Sequence, residues 1–344
     1  MPDLSKYTKR ISEHFLNSGN IVLISHINPD GDAVGSQLAL FHYLKSRSIK
    51  AEMIAPNNLQ EFLKWMEGSE KIRIFISQRD KCRNIIEKAD LIVMVDFNQP
   101  DRLGEMKDIV VRSGAVKVII DHHLNPRGFA DIEISDPAFS STTELVHEIV
   151  TQINGKPYFT RPYSEAVYVG IVTDTGNFEH GSYTSNTLRV VADLLENGIE
   201  KNRILDLLFN NFSETRLRLQ GFALNERMAI LHEYNTAYIW LTRDDLNSFR
   251  YVKGDTEGFV NLPLSIKGII FSVFFVEKDG FVKLSLRSKG NFPVNEFASR
   301  FFSGGGHLNA SGGEFRGTLE NSIRYFRKVL EENFEEFNGN NSLR

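Results

Sequence analysis

The chain has 344 residues, 41% of them hydrophobic and 24% charged, with a formal net charge of −4. That length argues for two hydrophobic cores rather than one, and the acidic balance argues against a protein that holds long duplex nucleic acid. Cys82 is the only cysteine, which excludes an internal disulfide and a thiolate-rich zinc site.

The opening segment, MPDLSKYTKRISEHF, lacks the basic-then-apolar pattern of a secretory leader. Four apolar runs then punctuate the first half: 21–25 (IVLIS), 91–96 (LIVMVD), 116–121 (VKVIID) and 167–172 (VYVGIV). Unbroken β-branched runs of this kind predict strands buried on both faces, as in a parallel sheet. Helical stretches such as 33–46 and 143–152 lie between them. The alternation predicts a doubly wound α/β domain.

From about 188 to 226 the chain is polar and helical, with no tight turn to stop it. Three further strands are expected at 236–241 (TAYIWL), 268–276 (GIIFSVFFV) and 281–287 (FVKLSLR), and EKDG between the last two is a hairpin signal. The longest apolar run, 269–276, is too short to span a bilayer. A helix, a glycine cluster and a final helix at 320–337 close the sequence. The expected fold class is therefore α/β: a mainly parallel domain over 1–190, a helical linker over 191–224, a smaller mixed α/β domain over 225–338 and a disordered tail over 339–344. A soluble, cytoplasmic protein with no membrane partner is expected.

Each of the four early runs ends in acid or histidine. His26, Asp30 and Asp32 follow the first, Asp96 the second, Asp121, His122 and His123 the third, and Asp174 the fourth. Any one of these alone reads first as a helix cap, turn or surface residue. Together they point to one crevice at the carboxyl ends of the strands, where ligands bind in open α/β sheets. Five aspartates and three histidines would repel one another there unless cations were present. Carboxylate and imidazole ligands suit manganese, and also iron, zinc or cobalt, and so large a set suits two ions better than one.

Near the other end lies SGGGHLNASGG, 303–313. Its glycines read either as a backbone grip on an anion, with His307 as a further donor, or as a connecting loop. Arg287 reads either as a bidentate phosphate clamp or as an exposed strand-end arginine. The 26 phenylalanines, Phe271, Phe274, Phe275, Phe301 and Phe302 among them, read first as core.

With these residues in view, the chain resembles the DHH phosphoesterase superfamily, in the branch with a C-terminal DHHA1 domain. The matching segments are HINPDGDAVGS (26–36), VDFNQPDRLG (95–104), IDHHLNP (120–126), GIVTDTGNF (170–178), LSLRSKG (284–290) and GGGHLNASGG (304–313). Ser311 stands where alanine is common. Within the branch the chain looks most like the nanoRNase and pAp phosphatase group.

The resemblance implies a hydrolase with a dinuclear manganese centre in the cleft between a DHH domain and a DHHA1 domain. His26 and Asp30 would hold one ion, Asp32, His122 and Asp174 the other, and Asp96 would bridge them. Asp121 would orient an imidazole, and His123 would donate to the substrate phosphate or leaving oxygen. Arg287 and Gly304, Gly305, Gly306 and His307 would grip the terminal phosphate, with Arg102 a further candidate. The implied substrates are short oligoribonucleotides and pAp. Cyclic dinucleotides are the nearest alternative, and an inactive nucleotide-binding protein is the alternative from another class.

Overall fold

The computed structural model describes residues 4–338 except 125, 180–182 and 253, and leaves out the His307 side chain. The tail expected at 339–344 lies outside the described residues. The chain divides into two compact units, Met1–Asn211 and Phe212–Arg344.

The first unit runs α1 (Ser5–Asn17), β1 (Ile21–Ile24), α2 (Gly31–Ser46), β2 (Ala51–Ala55), β3 (Arg73–Ile74), α3 (Arg79–Glu87), β4 (Leu91–Val95), α4 (Lys107–Arg112), β5 (Val116–Asp121) and β6 (Ile132–Ser135). Four helices follow: α5 (Thr142–Asn154), α6 (Arg161–Asp174), α7 (Ser185–Glu196) and α8 (Lys201–Phe209). The strands form one parallel sheet in the order β3-β2-β1-β4-β5-β6. Alternate residues of each strand enter different cores. Ile21, Leu23, Leu91 and Val93 pack with α2, α5 and α6, whereas Val22, Ile24, Ile92 and Met94 pack with Cys82 and Ile86 of α3 and Val110 of α4. Both faces are covered, so the central strands carry no polar positions. The strand order reverses between β1 and β4, the switch point where such sheets open a crevice beyond their carboxyl ends.

One expected strand is not a strand. Residues 167–172 lie in helix α6, which is buried along its length from Tyr163 to Val172. An all-apolar run reads alike for a buried strand and a buried helix, and only the surroundings decide. Here Gly170 and Gly35 let α6 close on its neighbours: a Cβ at Gly170 would lie 2.0 Å from Thr143 Oγ1, and one at Gly35 2.7 Å from the Ala166 carbonyl. Asp174 therefore ends a helix rather than a strand. The stretch 188–226 also differs from one continuous helix. It breaks at Gly198, where φ is +87°, and again before Ser213, which caps the next helix. Ile204 and Leu208 of α8 join the core of the first unit, while Leu219 and Ala223 join that of the second.

The second unit runs α9 (Glu214–Glu226), β7 (Met228–Leu231), β8 (Thr236–Leu241), α10 (Arg243–Ser248), β9 (Phe271–Glu277), β10 (Val282–Ser288), α11 (Val294–Phe301), β11 (Gly305–His307), β12 (Ala310–Phe315) and α12 (Leu319–Asn338). Its mixed sheet has the order β11-β12-β10-β9-β8-β7, antiparallel except between β8 and β9. Phe271, Phe275 and Phe302 are buried in the core between this sheet and α12, and Phe274 is buried against Phe259 on the other face. Among the described residues no helix is long and apolar enough to cross a membrane.

Candidate metal centre

His26 leaves β1 with its ring buried. Its Nδ1 donates to the Ile27 carbonyl at 2.8 Å, and since a carbonyl can only accept, Nε2 is the nitrogen that faces inward. That Nε2 lies 3.3 Å from Asp96 Oδ2 and 3.8 Å from Asp30 Oδ1. Asp30 caps α2, accepting from Ala33 N at 3.1 Å, and keeps an exposed face. Burial works against charge on His26, but Asp30 and Asp96 outweigh it and push the imidazole up to about 10.

Asp96 follows β4 in a left-handed backbone conformation, φ +68°, that few residues other than glycine, asparagine and aspartate accept. Its N–H donates to the Ile120 carbonyl at 3.0 Å, which fixes the turn. While Oδ2 faces His26, Oδ1 lies 3.9 Å from His122 Nε2 and 3.7 Å from His123 Nδ1. Burial alone would raise this carboxyl, yet the three histidines hold it well below the usual carboxylate range.

His122 repeats the arrangement of His26: Nδ1 donates to the Phe139 carbonyl at 3.3 Å, and Nε2 faces Asp174 Oδ2 at 3.4 Å and Asp32 Oδ2 at 3.9 Å. Asp32 lies in the first turn of α2, fully buried. Burial, Asp96 and Asp174 push its carboxyl well above the usual range, against the hydrogen bond from Thr143. Asp174 is pushed up to about 7 by burial and by Asp96 and Asp30, against His122 and His123. Asp121 is wholly buried, and its Oδ1 accepts from His123 Nδ1 at 2.7 Å. Burial opposes charge on His123, but Asp121 and Asp96 bring its imidazole up to about 9.

These side chains form two donor triads, His26–Asp30–Asp96 and Asp32–His122–Asp174, the ligand atoms of each within 4.8 Å of one another. A third grouping, Asp96–His122–His123, overlaps both, although His123 Nδ1 is already engaged by Asp121. The donor set fits hard or borderline divalent cations: oxygen and imidazole nitrogen, no thiolate, and both inward histidines held through Nδ1 by backbone carbonyls. Burial is the first cause of the raised carboxyls of Asp32 and Asp174, and the neighbouring carboxylates add to it, so a divalent cation held between them would favour their charged forms.

In the second unit Arg287 is partly buried on β10, where burial pushes its guanidinium down and Glu257 opposes. Its Nη1 donates to the Leu286 carbonyl at 2.9 Å. The glycine cluster is a strand pair rather than a loop: Gly305 pairs with Gly312 and Gly306 with Ser311. Ala310 pairs with Arg287 on one side and His307 on the other, so the register sets these three positions in one row. The His307 side chain lies outside the described residues. Gly304 and Gly306 are required by close backbone approach, since a Cβ would lie 2.0 Å from the Gly312 carbonyl and 2.5 Å from the Ala310 carbonyl, whereas Gly305 faces open space. Arg102, in the first unit, is exposed; its carbonyl accepts from Ile27 N at 2.8 Å and ties the turn after β4 to the turn after β1.

Sequence reading missed the residues that hold the centre in place. Buried Asn98 donates to the carbonyls of His123 at 3.0 Å and Leu124 at 3.2 Å. Thr142 and Thr143, at the start of α5, donate to Asp32 and Asp96. A signal was available in Ser141-x-x-Glu144, the pattern of a helix start, just ahead of the apolar helix.

Two family models match this chain: the DHH family, N-terminal domain, over residues 20–171, and the DHHA1 domain over 237–336. The bifunctional oligoribonuclease and PAP phosphatase NrnA of Bacillus subtilis is 30% identical over 298 residues, covering 85% of this chain and 88% of that protein. The Thermus thermophilus protein of the same name is 28% identical, covering 87% and 85%. Among solved structures, an exopolyphosphatase-related protein from Bacteroides fragilis is 42% identical with a TM-score of 0.94, covering 98% of this chain and 99% of that one.

Proposed function

This chain belongs to the DHH family, with a DHHA1 domain following, and on that premise we propose that it hydrolyses short oligoribonucleotides to mononucleotides and removes the 3′-phosphate of pAp. The observation that carries the reading is the Asp96 carboxylate, one oxygen turned to each donor triad at the switch point of the sheet. The likeness to the two NrnA proteins along most of their lengths supports the choice of substrate.

His26 and Asp30 would hold one divalent ion and Asp32, His122 and Asp174 a second, with Asp96 shared. Two such ions, manganese by preference, supply when bound the Lewis acidity that lowers the pKa of water and offsets charge on phosphoryl oxygens. The chain's own groups do the rest. Asp121 fixes the His123 ring through Nδ1, which leaves Nε2 to donate to the phosphate or the leaving oxygen of the ester. Arg287 presents a planar fork to the terminal phosphate. Gly305, with open space where a Cβ would stand, lets a phosphate oxygen approach the backbone. Arg102, exposed in the first unit, is a further candidate cation for a substrate phosphate.

The test is hydrolysis in manganese of a ribodinucleotide, a long RNA strand, pAp, a cyclic dinucleotide and polyphosphate, side by side. Mononucleotide from the dinucleotide and phosphate from pAp are expected, with little from the long strand. Turnover of the cyclic dinucleotide alone, or of polyphosphate alone, would replace the proposed substrate while keeping the centre. Metal bound without turnover of any substrate would move the protein to a binding role.

A further inference from the structure

Both buried carboxylates at the heart of the centre are held by one helix end. Thr142 N donates to Asp32 Oδ2 at 2.7 Å and Thr143 N to Asp32 Oδ1 at 2.8 Å, so the first two N–H groups of α5, at the positive end of its dipole, point at one carboxylate. The Thr143 hydroxyl closes on the same Oδ1, with Ser36 Oγ 2.9 Å behind it. The Thr142 hydroxyl goes elsewhere: it donates to Asp96 Oδ1 at 2.9 Å. Thr142, Thr143, Asp32 and Asp96 are all buried, so water does not compete for these bonds.

The helix end is itself held fast. Ser141 Oγ accepts from Glu144 N at 3.1 Å, and Glu144 Oε2 accepts from Ser140 N at 3.0 Å, Ser140 Oγ at 2.6 Å and Thr187 Oγ1 at 3.0 Å. On the far side Gly170 leaves no slack, since a Cβ there would lie 2.9 Å from Asp32 Oδ1 as well as against Thr143. α5 therefore acts as a fixed ruler against which two carboxylates are set.

We propose that Thr142 is a positioning residue that sets the spacing of the two donor triads, through its backbone N–H on Asp32 and its hydroxyl on Asp96. The inference rests on the two-ion reading of the centre. A carboxylate has about four lone-pair sites. The helix occupies three on Asp32 and one on Asp96, which leaves the remaining directions on Asp32 Oδ2 and Asp96 Oδ1 turned toward His122 Nε2, 3.9 Å from each. Thr142→Val keeps the backbone bond to Asp32 and removes the hydroxyl's hold on Asp96 Oδ1, leaving that carboxylate anchored only on its Oδ2 side, by His26.

The experiment titrates manganese into metal-free wild type, Thr142→Val, Thr142→Ala and Thr142→Ser by calorimetry, with the electron paramagnetic resonance spectrum recorded at each loading and folding checked by circular dichroism. Wild type is expected to take two ions and give a spin-coupled signal. Both hydroxyl-free variants are expected to bind the second ion about 10- to 100-fold more weakly and to lose the coupled signal at loadings that saturate wild type. Thr142→Ser restores both. Folded hydroxyl-free variants that load and couple like wild type overturn the positioning role, as does a serine variant as defective as valine. Wild type that binds no manganese overturns the two-ion reading and this inference together, which separates that failure from the other two.

Discussion

His26 Nε2 lies 3.3 Å from Asp96 Oδ2, while the other oxygen of that carboxylate is turned to His122 at 3.9 Å. A single side chain thus belongs to two groupings of residues able to hold a metal ion, and the left-handed backbone at Asp96 is what aims it. Asp96→Asn keeps the shape and removes the charge that both triads share. It is expected to lower turnover of a ribodinucleotide by more than about 100-fold and to reduce manganese below two ions per chain. Steady-state rates with metal analysis check this, and full loading with retained turnover would remove Asp96 from its bridging place.

The pair Asp121–His123 makes a different prediction, because neither is needed to hold the proposed ions. Asp121→Asn weakens the bond that orients the ring, so kcat should fall about 10- to 100-fold with manganese stoichiometry unchanged. Rate and metal content measured on one preparation decide it. Loss of metal alongside rate would place His123 among the ligands instead.

Arg287→Lys tests the proposed phosphate fork. Lysine keeps the charge and loses the bidentate geometry, so KM for pAp should rise about 10-fold with kcat changed far less. An unchanged KM would assign Arg287 to the packing of β10 alone.

His147, on α5 and outside both donor triads, gives a pH prediction. It is buried beside Tyr163, whose hydroxyl lies 3.1 Å from Nδ1, and burial pushes its pKa from 6.5 down to about 4. Below pH 6.5 the unfolded chain gains a proton that the folded chain refuses until about pH 4, so this contribution to stability is complete above 6.5 and is lost as pH falls. The slope is about 1.4 kcal/mol per pH unit within that window. His147→Asn keeps an acceptor for Tyr163 and should flatten the acid side of the stability profile, measured by urea unfolding from pH 7 to pH 4.5. Parallel profiles for the two proteins would contradict it.

The clustering of acid and histidine was legible because such residues at strand ends leave a chemical trace: β1, β4 and β5 are mostly apolar runs, each with aspartate or histidine at its end or within two residues after it. β2, with Glu52 exposed in mid-strand, and β3, only two residues long, carry no such run. Helix α6 was misread as a strand because burial on every side removes the polar face by which a helix is recognised. Thr142 and Thr143 escaped notice for a related reason: a threonine at a helix start reads as an end signal, and only the fold brings Asp32 and Asp96 against it.

The most direct test of the centre is an anomalous-difference map from crystals grown with manganese. Two peaks roughly 3.5–4 Å apart are expected, one against His26 and Asp30 and one against Asp32, His122 and Asp174, with Asp96 touching both. A single peak, or two peaks with Asp96 bound to only one, would contradict it.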